Sequence, residues 1–548
     1  MTHEIPALIV GAGPVGMTMA LDLALRDVPC MLVDQSETPR FLPKMERCNA
    51  RSMEIFRRLG LAEKIKAAGY PGTATMDIKV VTRLSEPPLL HLRYPTADEQ
   101  RMQIAFSRDG SQPLEAFQVI SQYTLEPLLR AEVAAAAPIT ARYGWQLVSF
   151  AQDGDGVSAV LEDREGARHE VRARYLIGCD GGRSTVRKAL DIPLEGKGNL
   201  AEVTQLFFRS DDLLQRVPAG PARHYYFADE HSSAIIGQDD LKHFFFSTRL
   251  PPDADLKAAL LTAVGVDIDV QVVAVSSWRQ HLLLAQRYRD RRVFLAGDAC
   301  HLVIPLGGLG MNTGVGDATD LAWKLAATLQ GWGGPELLDS YEADRRPVGA
   351  RNVEASAYAT AGLREWRSHV KPGIRDHDEK GRQMRETVVA NARRLQRRTH
   401  EMAAAELGYR YNSSVIAEEA GADQGTANKL VYVPSAAPGF RLPHVWLDDG
   451  QALHDLLGRG YALLRLGGDA PSSEPLAMAF RAAGVPLQLL DVASDRAREV
   501  YGHALVLVRP DLHVAWRGDA APADCAALVG QVTGGARATT SALTGATA

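Results

Sequence analysis

The sequence predicts an α/β protein, and three observations predict it. Ala7–Val10 is a short apolar run that meets the glycine turn Gly11-Ala12-Gly13-Pro14-Val15-Gly16 and then the helical pattern Met17–Arg26. A second apolar run, Cys30–Val33, ends in Asp34. Two more apolar strands, far along the chain, run into Gly/Asp turns at Gly178-Cys179-Asp180-Gly181 and at Gly297-Asp298. After the Pro/Gly/Ala-rich connection Pro434–Pro443, four short apolar runs (Tyr461–Leu466, Leu487–Asp491, Ala504–Val508, His513–Trp516) read as the strands of a separate small α/β domain. The first unit is thus Rossmann-type, the α/β arrangement in which a parallel sheet carries ligands at its strand ends.

The first thirty-four residues justify that reading. A fully apolar strand is expected where both sheet faces are buried. Gly11 permits the tight turn, Gly13 lets backbone approach a pyrophosphate, and Gly16 lets helix and strand pack closely. The helix N-terminus offers unpaired N–H groups and partial positive charge to phosphates. Asp34, eighteen positions beyond Gly16, is placed to accept hydrogen bonds from adenosine ribose hydroxyls. NAD and FAD share this fingerprint, so it leaves the dinucleotide open.

Farther on, Arg51–Gly60 reads as a helix stopped by its glycine. The stretch from Thr75 to Phe106 reads as strand material, and Leu125–Ala137 as a helix. Hairpins are expected between Trp145 and Tyr175, with turns at Asp153–Gly156 and Arg164–Gly166. Residues 191–290 change character. Alternation at Gln205–Arg209 and the aromatic run Phe244–Phe246 predict an antiparallel sheet, read either as core or as the wall of a flat apolar cavity. From Asp320 to about Leu407 the pattern is helical, and the Arg-rich stretch 382–398 predicts a solvated or subunit-facing helix. The Ala/Thr/Gly-rich end is expected to be disordered.

Composition excludes several classes. The 548 residues are 46% hydrophobic and 23% charged, with 61 basic against 66 acidic side chains and a net charge of -5. That balance argues against a dedicated nucleic-acid binder. Five dispersed cysteines without a CxxC pair argue against a disulfide framework and a structural zinc site, so no metal is expected and a reducing cytoplasm fits best. The N-terminus has no cluster of Lys or Arg, and no apolar stretch reaches the eighteen residues a membrane span needs, so a cytoplasmic protein that does not contact membrane is expected.

The two later Gly/Asp turns discriminate between cofactors. The Gly297-Asp298 strand end delivers a carboxylate suited to a ribityl polyol, and Pro305-Leu306-Gly307-Gly308-Leu309-Gly310-Met311-Asn312 follows it. Glycines there would let backbone N–H groups face a ring edge. A helix from about Gly316 to Leu329 would point its positive end at charge developing on that ring, as a reduced flavin carries at its pyrimidine side. Three such strand ends over some 300 residues imply a ligand longer than NAD alone.

On these motifs, in this order, residues 5–355 resemble the FAD-dependent single-component aromatic hydroxylases, similar to para-hydroxybenzoate, phenol and polyketide hydroxylases. The C-terminal portion resembles the thioredoxin-like domain appended in the phenol and polyketide hydroxylase branch, here without a CxxC. The resemblance implies an FAD-binding domain from residues 1–75, 106–190 and 285–355, a substrate-binding sheet domain from 76–105 and 191–284, a helical connection over 356–433, the thioredoxin-like domain over 434–535 and a tail over 536–548.

It also implies site residues. Gly11, Gly13 and Gly16 would hold the FAD pyrophosphate, and Asp34, with Gln35 beside it, the adenosine ribose. Arg47 or Arg51, and Lys44, would approach phosphates or flavin. Gln122 and, after Gly297, Asp298 would meet the ribityl chain. Asp180 would line the cofactor or the NAD(P)H groove. Pro305 would sit at the reactive edge, and Gly308, Leu309, Gly310, Met311 and Asn312 would cover the pyrimidine end. In that family NADPH or NADH reduces FAD, O2 adds to give a C4a-hydroperoxide, and the distal oxygen passes to an electron-rich aromatic ring. A base or proton relay would help by ionising a phenol. His224, Tyr225 and Tyr226 are candidates because they lie on the predicted substrate sheet, with packing roles as the alternative. His301 reads as a structural histidine at a strand end. Arg209, Arg223 and Arg249 remain candidates for a carboxylate clamp.

Baeyer–Villiger oxygenation, epoxidation and antibiotic inactivation are alternative outcomes of the same chemistry, and a non-catalytic FAD-binding scaffold is the alternative from another class. The absence of a WxWxIP-type segment argues against halogenation. No second GxGxxG unit exists for a nicotinamide domain. The partners expected are an aromatic small molecule, O2 and NAD(P)H, with a homodimer or higher homo-oligomer as the assembly.

Overall fold

The computed structural model describes residues 4–421, 425 and 428–535; the predicted tail over 536–548 lies outside them. The Glu4–Val10 strand is central to the first sheet. It pairs in parallel with Cys30–Asp34 on one side and with Arg168–Gly178 on the other. Ile139–Tyr143 and Val293–Leu295 extend the parallel sheet outward. Ala7, Leu8 and Ile9 are fully buried, as befits a strand covered on both faces. Helices Pro14–Leu25 and Gly310–Leu329 pack together beside this sheet. Three loops therefore leave neighbouring strand ends on one edge: Gly11–Gly13, Cys179–Gly181 and Ala296–Asp298.

A second, seven-stranded sheet runs in the order Gln271–Arg279, Glu202–Arg209, His243–Thr248, Ser232–Gly237, His224–Phe227, Ile78–Val81 and Leu90–Leu92. All its pairs are antiparallel except His224–Phe227 with Ile78–Val81. The strand reading between Thr75 and Phe106 is corrected at its end, because Ala97–Phe106 is a helix. Thr96 and Glu99 cap it reciprocally. The T-x-x-E signature was present in the sequence and outweighs the local strand pattern.

The register sorts the sheet's two faces. Ala274, Phe207, Phe245, Ile236, His224 and Ile78 lie opposite one another across six strands and share one face. Gln205, Ser247, Ala234, Tyr226 and Val80 form the next row on that face. Leu206, Phe246, Ile235 and Tyr225 form the intervening row, so they point to the other face. There they pack in a core with Leu256, Leu260 and Val264 of the Leu256–Val264 helix.

Helices Asp339–Arg367 and Glu379–Leu395 lead to the C-terminal domain. Its four strands run in the order Leu487–Val492, Tyr461–Leu466, Leu505–Val508, Val514–Gly518. Only the first pair is parallel, and three helices accompany the strands. This is the small α/β domain expected, with a lone Cys525 that is free. No helix among the described residues is long and apolar enough to cross a membrane.

Candidate active site

The glycines of the three strand ends are fixed by close approach. A Cβ on Gly11 would sit 2.3 Å from Cys179 O, and one on Gly16 would sit 1.9 Å from Gly11 O. Gly314 is held against Val15 and Gly297, to whose Cα a Cβ would come within 2.9 Å. These contacts lock the first turn, the Cys179–Asp180 turn and the Gly297 turn against one another. Gly13 differs, because a Cβ there would meet nothing within 4 Å. The helix it precedes has no side-chain cap, so its first N–H groups face that open space.

Asp34 lies beside this turn, its carboxylate accepting from Ala12 N at 2.7 Å and Ser36 N at 2.7 Å; Gln35 is exposed. Asp180 accepts from Thr185 N and Val186 N through one oxygen, at 2.7 and 3.0 Å, capping the short helix that follows. Its other oxygen is buried without a hydrogen-bond partner. Asp298 is open to solvent yet surrounded by protein. That desolvation raises its carboxyl pKa above the ordinary value, against the pull of His301 and Lys44. An uncapped helix start, open space at Gly13, an unsatisfied Asp180 oxygen and an exposed Asp298 along one edge fit a long dinucleotide such as FAD.

The loop after Asp298 closes the cleft's far end. The helix begins at Gly310, six residues earlier than the glycine count suggested. Gly314 and Gly316 lie inside that helix, and they are glycines because Val15 and Arg345 leave no room for a Cβ, not because the chain turns there. Pro305 is exposed, Gly308 and Met311 are partly so, and Leu309 is buried. Arg47 reaches this loop, donating to Gly307 O at 2.8 Å and to Glu406 at 2.7 Å. Asn312 does not face open space with its amide, which instead joins Asn49, Gly308 and Arg47. Lys44 is exposed. Gln122 starts the Gln122–Ala135 helix and donates to Glu126.

Two candidates lie elsewhere. The Arg51 guanidinium is buried and donates to Asp511 O at 2.7 Å, across the seam with the C-terminal domain. Tyr225 donates to Gly220 O from the sheet face opposite His224 and Tyr226, where alternation along the strand sends it. His301 is a buried structural histidine, 2.8 Å from Asp317, which also pairs with Arg345 at 2.8 Å.

His224 and Tyr226 stay together on the face that meets residues 41–47. His224 Nε2 is 3.3 Å from Glu46, which pairs with Arg223 at 2.9 Å. Tyr226 OH is 3.2 Å from His400 Nε2, and the His224 and His400 rings meet edge to face at 4.8 Å. Burial keeps both imidazoles below their ordinary pKa, only partly offset by Glu46. Burial would raise Glu46, but Arg223 and His224 overcome it and hold the carboxyl well below its usual range. Burial also pushes the Tyr226 hydroxyl up. Phe41, 51% exposed, packs in tilted and edge-on contacts against Tyr123, Phe207 and His243 at the edge of the same face.

Glu46 and His400 were missed in sequence. Glu46 sits in the unpatterned run Lys44-Met45-Glu46-Arg47, and His400 closes an Arg-rich helical stretch 176 residues beyond His224. Neither position carries a local signal, since only the fold brings them together.

Comparison with known proteins agrees with this geometry. Residues 4–356 match the FAD binding domain family and residues 435–536 the aromatic-ring hydroxylase C-terminal family. The FAD-dependent monooxygenase apdD of Emericella nidulans is 33% identical, over 93% of this chain and 87% of its own. The tetracenomycin B2 monooxygenase-dioxygenase of Streptomyces olivaceus is 34% identical, over 95% of this chain and 96% of its own. The solved structure of the rebeccamycin biosynthetic enzyme RebC with reduced flavin superposes with a TM-score of 0.87 at 35% identity, covering 97% of this chain and 99% of that one. With the strand-end cleft, the sheet beside it and both family matches in one chain, the protein belongs to the FAD-dependent aromatic-ring hydroxylases, the class A flavoprotein monooxygenases.

Proposed function

We propose that the protein hydroxylates a phenolic aromatic substrate, drawing electrons from NAD(P)H and one oxygen atom from O2. The observation that carries this reading is the shared segment 46–47: Arg47 holds the Gly307 loop while Glu46 holds His224 on the sheet. A ligand on that sheet face therefore lies beside the cofactor's end loop.

Bound FAD would supply reduction by the nicotinamide and activation of dioxygen. Gly11, Gly13 and Gly16 would admit its pyrophosphate, Asp34 the ribose, and Gln122 and Asp298 the ribityl chain. Arg47, Pro305 and the Gly308–Met311 stretch would border the ring system. Phe207, with Phe41 and Tyr123 against it, offers an apolar wall for aromatic rings and excludes water. Ile236 and Phe245 belong to the core this face shares with Trp366, Val388 and Leu395. Glu46, with 30% of its side chain exposed, accepts the hydrogen bond of a substrate hydroxyl. Because Arg223 keeps Glu46 ionised, Glu46 polarises that hydroxyl as a hydrogen-bond acceptor, and His224 Nε2, 3.3 Å behind, holds the carboxylate in place. Tyr226 and His400 complete the polar patch and orient that imidazole.

The test is NAD(P)H consumption by the purified flavoprotein with a panel of mono- and polycyclic phenols. Phenol-stimulated consumption and a product carrying one new ring hydroxyl are expected. Oxygen inserted beside a carbonyl, or an epoxide, would replace hydroxylation with another outcome, and consumption indifferent to every phenol would remove the reading.

A further inference from the structure

The C-terminal domain contributes one turn to the heart of the molecule. Arg509, fully buried, donates to Asp320 at 2.7 Å and to Asp344 at 3.0 Å. It also donates to Asp511, two residues on, at 2.8 and 3.1 Å. Lys324 joins Asp320 and Asp344 from below, at 2.8 Å each. Asp320 and Lys324 belong to the Gly310–Leu329 helix, whose first turn ends the cofactor cleft. The same turn is grasped from the other side. Arg51 donates to Asp511 O at 2.7 Å and Arg58 to Pro510 O at 3.3 Å. Both belong to the Ala50–Arg58 helix, or to its C-terminal edge, just after Arg47.

The two helices also meet at their starts, where Asn49 N donates to the Asn312 side chain at 2.9 Å. One three-residue turn thus ties the bodies of two helices whose starts are joined to each other and to the Gly307–Gly308 loop. An appended domain could be held by apolar contact alone. Burying this many charges carries a desolvation cost that apolar packing would avoid, and fixed geometry is what such a network supplies in return. The guanidinium plane is further set by Trp323 and Tyr411, 5.1 and 5.0 Å from its carbon.

We propose that the Arg509-Pro510-Asp511 turn positions the cofactor cleft: through Arg509 and Arg51, the C-terminal domain sets the spacing between the Ala50–Arg58 and Gly310–Leu329 helices. Arg509 touches no ligand in this scheme and is a positioning residue. Its effect is read in how tightly FAD is held and in how well the Gly310 helix end stabilises negative charge on the reduced ring.

The test uses the full-length flavoprotein, stripped of FAD and titrated with it. Arg509→Lys keeps the charge but cannot span three carboxylates from a planar fork. It should weaken FAD binding by about tenfold and lower the flavin midpoint potential. Trp446→Phe removes a different inter-domain bond, from the indole to Ile104 O. It should lower the unfolding temperature while leaving FAD affinity and potential at wild-type values. If Arg509→Lys does not accumulate as folded protein, Arg51→Met carries the same expectation. Wild-type FAD affinity and potential in the Arg509 or Arg51 variant would overturn the proposal, as would an equal shift of both in Trp446→Phe.

Discussion

Asn312 and Asn49 join the starts of the Ala50–Arg58 and Gly310–Leu329 helices beside the Gly308 loop. The Asn312 side-chain oxygen accepts from Asn49 N at 2.9 Å, while its amide donates to Gly308 O at 2.6 Å and Arg47 O at 3.2 Å. Asparagine supplies this pattern, an acceptor on one side and donors on the other. Asn312→Asp should keep the Asn49 bond but turn a carboxylate toward two carbonyl oxygens. Leaving those acceptors unpaired costs about 1–3 kcal/mol. A lower unfolding midpoint and faster loss of flavin on dialysis are expected. Unchanged flavin retention would show that the bond does not shape the cleft.

Gly13 and Gly16 separate ligand space from packing space. At Gly13 φ is -73° and an added Cβ meets nothing, whereas at Gly16 it would strike Gly11 O at 1.9 Å. Gly13→Ala should therefore fold with wild-type stability and lose FAD affinity, because the methyl occupies pyrophosphate space. Gly16→Ala should be poorly folded before any ligand is considered. Thermal unfolding without FAD, followed by FAD titration, distinguishes them. A Gly13→Ala protein that binds FAD normally would place the pyrophosphate elsewhere.

These contrasts show what was legible in sequence. Glycines at strand ends, the acid after the second strand and the alternating sheet are local patterns, and the fold follows them. The start of the Gly310 helix was hidden because glycine reads as a helix breaker, while Gly314 and Gly316 are there to admit Val15 and Arg345. Tyr225 and Tyr226 look equivalent in sequence, and only the pairing register assigns them to opposite faces. Arg51 fits a phosphate ligand by type and position, but its reach to Asp511 depends on a residue 460 positions away. Glu46 and His400 were invisible for the same reason.

Glu46 and His224 should behave as a unit. Arg223 has a fully buried side chain and loses its counter-charge in Glu46→Gln. The stability cost should fall below the roughly 3–5 kcal/mol of breaking a fully buried pair, because Glu46 is partly solvated. FAD content should be unchanged. Turnover should drop by about 10²-fold, the lower end for a lost acid–base group, and His224→Gln should drop it similarly. The double variant should be no slower than the slower single one, since coupled groups are not additive. Multiplicative losses would mean that the two act separately, and a variant at wild-type turnover would remove its residue from catalysis.

The pH dependence of stability follows from buried imidazoles. Burial holds His444 and His513 at about 4, lowers His224, and places His400 and His454 well below 6.5. For each, the unfolded chain binds a proton that the folded one refuses once pH falls below about 6.5, so stability declines from there through the folded values. A tenfold difference in proton affinity between the two states is worth about 1.4 kcal/mol. Asp320 opposes this trend. Burial, with Asp344 and Asp511 nearby, pushes it up to about 7 against the pull of Lys324 and Arg509. Its protonation favours the folded state as pH falls from about 7 toward the unfolded value near 4. Asp298, Glu126 and Glu406 are raised with it. The five imidazoles, however, act together with carboxyls held low by cationic neighbours, among them Glu46, Glu54 and Asp317, so the net slope is a loss toward acid. His444, His454 and His513 all belong to the C-terminal domain, where their neighbours include Trp446, Leu442 O and Tyr411. Urea midpoints measured between pH 7 and pH 4 should fall steadily, and His444→Phe should flatten the decline. A midpoint that rises toward pH 4 would mean that these rings are protonated, and paired, in the folded protein.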